Sequence, residues 1–226
     1  MNYQRDSEEL SENIETVSSP ETLSIWGLAW PSILANILFA AAGVVSIKAV
    51  GILGTEAVAA VGTGQRILFV IQSIIMAVST GTAALVARAF GSSNHKEAAQ
   101  VLLDSLWIGV ILSILAAASM WLYGESIISF FGLDPESKKL AVIYIKYTML
   151  FSAAFSSSFI FSSALRAAGD AKTPLAIMIF QNILNIYLLL GLVNGQFGFP
   201  EMGVVGASYA WAVSYTHLRA HETFAN

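Results

Sequence analysis

The sequence predicts an all-α integral membrane protein: a bundle of six transmembrane helices. Three observations carry that prediction. Of 226 residues, 56% are hydrophobic and 12% charged, and the mean hydropathy is +0.68. A soluble domain carries about 25% charged residues, so this chain lacks the polar surface to sit in water. The apolar residues also fall into long runs separated by compact Gly, Pro, Asp and Asn turns, all but the last run long enough to cross a bilayer. The net charge of −4 says little about partners, because Asp6, Glu8, Glu9, Glu12, Glu15 and Glu21 crowd the N-terminal segment.

There is no cysteine, so disulfides and thiolate metal sites are excluded. The N-terminus is acidic rather than basic, and the first apolar run is too long for a signal-peptide core, so that run reads as a first span. Residues 1–20 are polar and unpatterned, a flexible acidic tail.

Ser19-Pro20-Glu21 reads as a helix cap, and the first span runs from about Ile25 to Val50, ended by Gly51 and Gly54. Trp26 and Trp30 suit the headgroup region, where an indole can be half wet. The second span covers roughly Ala57 to Ala87, longer than a bilayer needs. Arg88 to Gln100 is a polar turn, with Asn94 and Glu97 at capping-box spacing. The third span runs from about Ala98 to Tyr123. Asp134 with Pro135 and Glu136 then starts a fourth, roughly Leu140 to Ala164.

Thr173-Pro174 reads as the next start, Thr173 as N-cap and Pro174 in the first turn, with Arg166 and Lys172 holding the turn in water. The fifth span is Pro174 to Val193, and a sixth begins at Gly203 after a Gly/Pro turn. Beyond Ser214 the chain becomes too polar to complete that span. Residues 215–226 read as a non-native or out-of-frame tail, so His217 and His221 are not interpreted as ligands. Turns two and four carry Arg88, Lys96, Arg166 and Lys172, whereas the odd turns carry Lys138 and Lys139 among several acids. By the positive-inside rule, the even turns and the N-terminus are cytoplasmic.

No enzyme constellation is visible: no phosphate loop, no metal-spaced His/Glu set, no Ser–His pairing outside the tail. What remains are polar residues within spans, each of which needs a partner or a cavity. Lys48 is the most expensive. It reads equally as a snorkelling lysine and as a pathway charge, with Ser46 two residues before it. Arg66 reads as an interfacial anchor. Gln65, Phe69, Gln72, Met76, Ser79 and Ala83 recur at helical spacing, and packing is the favoured reading over a cavity lining. Ser152, Ser156 and Ser163 share a face of the fourth span, with Ser157, Ser158 and Ser162 beside them. Close helix approach is the first reading and a wet lining the second. In the fifth span Gln181, Asn182 and Asn185 fall within one turn, and three carboxamides in hydrocarbon need one another, a neighbouring helix or a cavity. The pathway candidates are therefore Asn185, Asn182, Gln181, Lys48, Ser46, Gln72 and Ser156.

Five stretches together carry a family resemblance: Gly51-Ile-Leu-Gly54-Thr-Glu-Ala-Val-Ala-Ala-Val-Gly62, Leu85-Val-Ala-Arg-Ala-Phe-Gly91, Ala164-Leu-Arg-Ala-Ala-Gly-Asp-Ala-Lys-Thr-Pro174, Asn182-Ile-Leu-Asn185, and Gly198-Phe-Pro200-Glu-Met-Gly203-Val-Val-Gly206-Ala. In this order, between these spans, the sequence over about 22–214 resembles the N-terminal half of a multidrug and toxic compound extrusion (MATE) transporter. The resemblance implies a protein about twice as long, with twelve helices in two six-helix lobes and a central cavity open alternately to either side. It implies export of drugs and organic cations by proton or sodium antiport, with no other cofactor and no nucleic acid partner. The implied partners are the bilayer, a small organic substrate and a C-terminal lobe, and the implied place is a bacterial inner membrane. Two positions depart from the family pattern. An aspartate common in the first span is here Ser46, and one common a turn after the asparagine matching Asn185 is here Leu189. Coupling by acids in the other lobe is the preferred explanation. Lys48 standing in for a bound cation, or a flippase for lipid-linked cargo, are the others. A non-transporting membrane scaffold is the rival from a different class.

Overall fold

The computed structural model describes residues 25–216, so the acidic tail, its Ser19-Pro20-Glu21 cap and most of the 215–226 segment lie outside the described residues. Those residues form seven α-helices and one short 3₁₀ turn: α1 (Ile25–Gly51), α2 (Thr55–Gly91), α3 (His95–Ser129), α4 (Pro135–Leu150), α5 (Ser152–Ala167), α6 (Lys172–Asn194) and α7 (Gly203–Thr216), with the 3₁₀ turn at Gln196–Gly198 between the last two. Four helices are long and apolar enough to cross a membrane, and α4 with α5 make a fifth span bent by 54°. The remaining helix, α7, is the sixth member of the bundle.

Several helix starts are as the sequence predicts. Asn94 accepts from the Glu97 N–H at 3.2 Å while its own amide donates to the Glu97 carboxylate at 2.9 Å. Asp134 accepts from the N–H groups of Glu136 and Ser137 at 3.1 and 3.0 Å. The start of α6 differs. The helix begins at Lys172, and Asp170, not Thr173, supplies the cap: its Oδ1 accepts from the N–H groups of Lys172 and Thr173, both at 3.0 Å. Placing the cap two residues ahead of the helix leaves the Thr173 hydroxyl free to donate to the same carboxylate.

The fourth span also differs from the single helix expected, because it breaks at Phe151. Hydroxyls explain the bend. Thr148 Oγ1 donates back to the Tyr144 carbonyl at 2.8 Å, and Ser152 Oγ donates to Met149 O at 2.7 Å. Each takes up an acceptor that the next turn of helix uses, which bends a helix where nothing apolar marks a boundary.

Helix α2 is the spine, packed along its length by α3, α4 and α5; α6 pairs with α1 on one side and α7 on the other, and α7 leans on α4. The main core gathers Val50, Val61, Leu68, Ile128, Ile145, Leu189 and Val193 where α1, α2, α3, α4, α6 and α7 converge. Small residues set the spacing. A β-carbon on Gly109 of α3 would stand 2.5 Å from Ile160 Cδ1 of α5, so the two helices approach where no side chain intervenes. Ser152 Oγ also reaches the Ser113 carbonyl at 3.3 Å, and Ser163 Oγ the Ser79 carbonyl at 3.2 Å, tying α5 to α3 and α2.

Candidate functional site

Two cavities open along one side of α2. The larger, about 380 Å³, lies between α1, α2, α5 and α6 beside the Ala168–Ala171 turn. Its apolar walls include Phe39, Phe69, Phe155, Phe159 and Met178, and its polar lining is Ser32, Asn36, Gln72, Ser158, Ser162, Arg166 and Gln181. The smaller, about 220 Å³, lies further along α1 and α6, with Ser46, Gln65, Gln72, Tyr144 and Asn185 as its polar lining and Trp211 of α7 on its wall. Phe39, Phe69 and Gln72 line both, so one wall runs past the two spaces.

The helical spacing of α2 makes that wall. Gln65, Phe69, Gln72 and Met76 face the cavities, whereas Ser79 is buried and its carbonyl takes the Ser163 hydroxyl. The stripe expected to pack thus lines cavities over its first three turns and packs beyond them. The serines of the broken span divide in the same way. Ser152, Ser156 and Ser163 are buried against neighbouring helices, while Ser158 and Ser162 line the larger cavity.

Of the carboxamides in α6, two face the cavities. Gln181 lines the larger and Asn185 the smaller, one turn apart on the same face. Asn182 turns away and donates to the Met178 carbonyl at 2.9 Å within its own helix. Gln181 is only 6% exposed, yet its Nε2 has no hydrogen-bond partner among the described residues. An unmet buried donor costs about 1–3 kcal/mol, a cost that a ligand acceptor or water removes. Ser46 lines the smaller cavity and Gln72 both. Ser156 is fully buried, donates to the Ala153 carbonyl at 3.2 Å and packs near Gly109, so it lines neither space. Lys48 lines neither cavity and is exposed near the end of α1.

Ser46 and Leu189, the two positions where carboxylates are absent, both line the smaller cavity beside Asn185. No Asp or Glu lines either cavity, and among their lining residues the one charge is Arg166. Arg166 is half-buried rather than held out in water, a placement sequence reasoning missed. It stands in the last turn of α5, on the wall of the larger cavity with residues of α6. No group of three or more His, Cys, Asp or Glu suited to a metal occurs among the described residues.

Comparison with known proteins places this architecture. The MatE family model matches residues 31–190. The chain is 32% identical over 187 residues to the probable multidrug resistance protein NorM of Thermotoga maritima, covering 83% of this chain and 40% of that protein. It is 30% identical over 188 residues to the probable multidrug resistance protein YoeA of Bacillus subtilis, covering 81% and 40% respectively. A crystal structure described as MATE in the bent conformation superposes with a TM-score of 0.78 at 25% identity, over 86% of this chain and 43% of that one. The chain spans about 40% of the length of the curated relatives it matches, and the match is to one half of the solved structure.

Proposed function

Because the chain belongs to the MatE family, we propose that it forms the N-terminal lobe of a secondary active efflux transporter, one that exports small organic molecules such as drugs by proton or sodium antiport. The observation that carries this reading is the pair of carboxamide-lined cavities along α2, with the Gln181 amide buried, unpartnered and facing the larger one. A membrane scaffold would have no reason to keep such a space beside an unmet donor. A flippase for lipid-linked cargo calls for a more basic central cavity with Lys48 pointing inward, and Lys48 lines neither space.

In this reading the wall of Phe39, Phe69 and Gln72 is the path along which substrate passes between the two cavities. The N-terminus and the Arg166–Lys172 turn face the cytoplasm of a bacterial inner membrane, so the larger cavity is the cytoplasmic end of the path. Organic cations, the cargo that the resemblance implies, would meet no carboxylate in either cavity of this lobe. Coupling therefore belongs to acids of a C-terminal lobe that completes the protein across the bilayer. Residues 21–214 make up the N-terminal lobe.

The test begins with the gene encoding this chain, read from the codon for Ser214 to its stop codon and expressed whole. Inverted vesicles carrying the product should take up a fluorescent drug only when an inward-to-outward proton or sodium gradient is imposed. Gln72→Phe, which fills the wall shared by both cavities, should slow that uptake at least tenfold. A gene that ends at Asn226 together with gradient-independent vesicles would sink the transport reading and favour the scaffold.

A further inference from the structure

We propose that the larger cavity receives an organic anion: an aromatic or apolar body carrying a carboxylate or phosphate, bound by Arg166 and by the amide of Gln181. This rests on the transport reading above and narrows its substrate class.

Charge is the first ground. Arg166 is the one charged residue among those lining the two cavities, and no acid accompanies it. Its guanidinium makes no ion pair or hydrogen bond with the described residues; the ion pair found among them joins Lys138 of α4 to Glu125 of α3. The carboxylate nearest in sequence, Asp170, is already occupied by the Lys172 and Thr173 N–H groups and the Thr173 hydroxyl. A half-buried guanidinium is costly without an anion, and it supplies donors only.

The second ground is independent. Gln181 Nε2 is also a donor, also without a partner, in a side chain that is 6% exposed on the same cavity. Arg166 can only donate, so a ligand that satisfies it must bring an acceptor, and the unpartnered Gln181 amide on the same cavity can donate to that acceptor as well. Carboxylates and phosphates supply such acceptors in charge-assisted bonds, roughly twice as strong as neutral ones. The remaining wall is ring and thioether surface from Phe39, Phe69, Phe155, Phe159 and Met178, which suits an aromatic body. About 380 Å³ falls within the range of small-molecule sites, which begins at about 300 Å³. A cation of the same shape would meet the charge of Arg166 with nothing to offset it.

Fluorescein and rhodamine 123 share a xanthene body and carry opposite charge, so they isolate the charge preference. Their binding to the purified chain in maltoside micelles, which bear neither charge nor phosphate, can be read by fluorescence anisotropy at pH 8 against micelle blanks. Fluorescein should bind at least tenfold more tightly than rhodamine 123. Arg166→Gln should weaken fluorescein about tenfold and leave rhodamine 123 unchanged or tighter. Arg166→Lys should retain most of the affinity, and Gln181→Leu should lose several-fold for fluorescein alone. Equal or tighter binding of rhodamine 123 by the wild type would overturn the anion assignment while leaving the transport reading intact. Absence of binding by both dyes, in a chain whose helical circular dichroism is unchanged, would overturn both. Displacement of fluorescein by short-chain phosphatidylglycerol but not by benzoate would overturn the substrate assignment in favour of a lipid headgroup.

Discussion

Gly64 of α2 lies against the ring of Tyr144 of α4, so close that a β-carbon at position 64 would stand 2.5 Å from Cδ1 and 2.9 Å from Cε1. Tyr144 is buried and lines the smaller cavity, and its carbonyl takes the hydroxyls of Thr148 and Ser208. The missing side chain at position 64 therefore fixes both the approach of α2 to α4 and the position of a cavity wall. Gly64→Ala must push a ring whose backbone is held from two sides. Overpacking of this kind costs about 1–3 kcal/mol. Thermal unfolding in detergent should show a lower midpoint, whereas Gly62→Ala, with open space around its β-carbon, should leave it near the wild-type value.

Gly206 on α7 presents a harder contact. A β-carbon there would run into the Leu192 carbonyl of α6, which already accepts the Met202 N–H at 2.7 Å. Backbone cannot rotate away as a side chain can. Gly206→Ala should therefore cost at least as much as Gly64→Ala, and should separate α6 from α7. A cysteine pair placed across α6 and α7 would report the separation as slower cross-linking; unchanged cross-linking and unchanged melting would refute the contact.

The Ser163 hydroxyl, donated across to α2 at the Ser79 carbonyl, offers a finer test. Interhelical hydroxyl bonds in membranes average about 0.6 kcal/mol, because the alternative state finds other partners. Ser163→Ala should lower stability by about that much, and Ser163→Val by more, since the site is buried between helices. A loss above about 2 kcal/mol for Ser163→Ala would mean the serine does something besides bridging.

The spans, their order and the caps at Asn94 and Asp134 were legible because each rests on local chemistry: apolar length, or an acceptor directly before a helix that takes an N–H two or three residues on. The break at Phe151 was not, since an apolar run crosses it and the bend comes from hydroxyls at Thr148 and Ser152 whose alternative is an ordinary helix. Gln181 and Asn185 stood out as costly in hydrocarbon, yet nothing local separates them from Asn182, which satisfies itself within α6. Only the rotation of the helix does. Arg166 was hidden for a related reason: in sequence it belongs to a polar turn, whereas the fold includes it in the last helical turn of α5, on the cavity wall.

Asp170 ties that turn to acidity. Its carboxyl is held below the usual carboxylate range, first by the Thr173 hydroxyl, then by the N–H groups of Thr173 and Lys172 and the Lys172 charge, against a smaller opposing effect of burial. A folded value below the unfolded one means that the cap stabilises fully above the unfolded value, about 3.9. It is lost as pH falls through the lower folded value. Loss of a capping side chain costs about 1 kcal/mol, so Asp170→Ala should melt below the wild type at pH 7. Asp170→Asn keeps an acceptor but no charge, and should fall between them. The gap between wild type and Asp170→Asn should shrink below about pH 4 as the wild-type carboxyl takes up its proton. A gap that persists unchanged to pH 2.5 would place the effect in shape and not in charge. Because α6 begins at this cap and carries Gln181 and Asn185 on one face, a frayed start should also weaken ligand binding in the larger cavity before it changes the smaller.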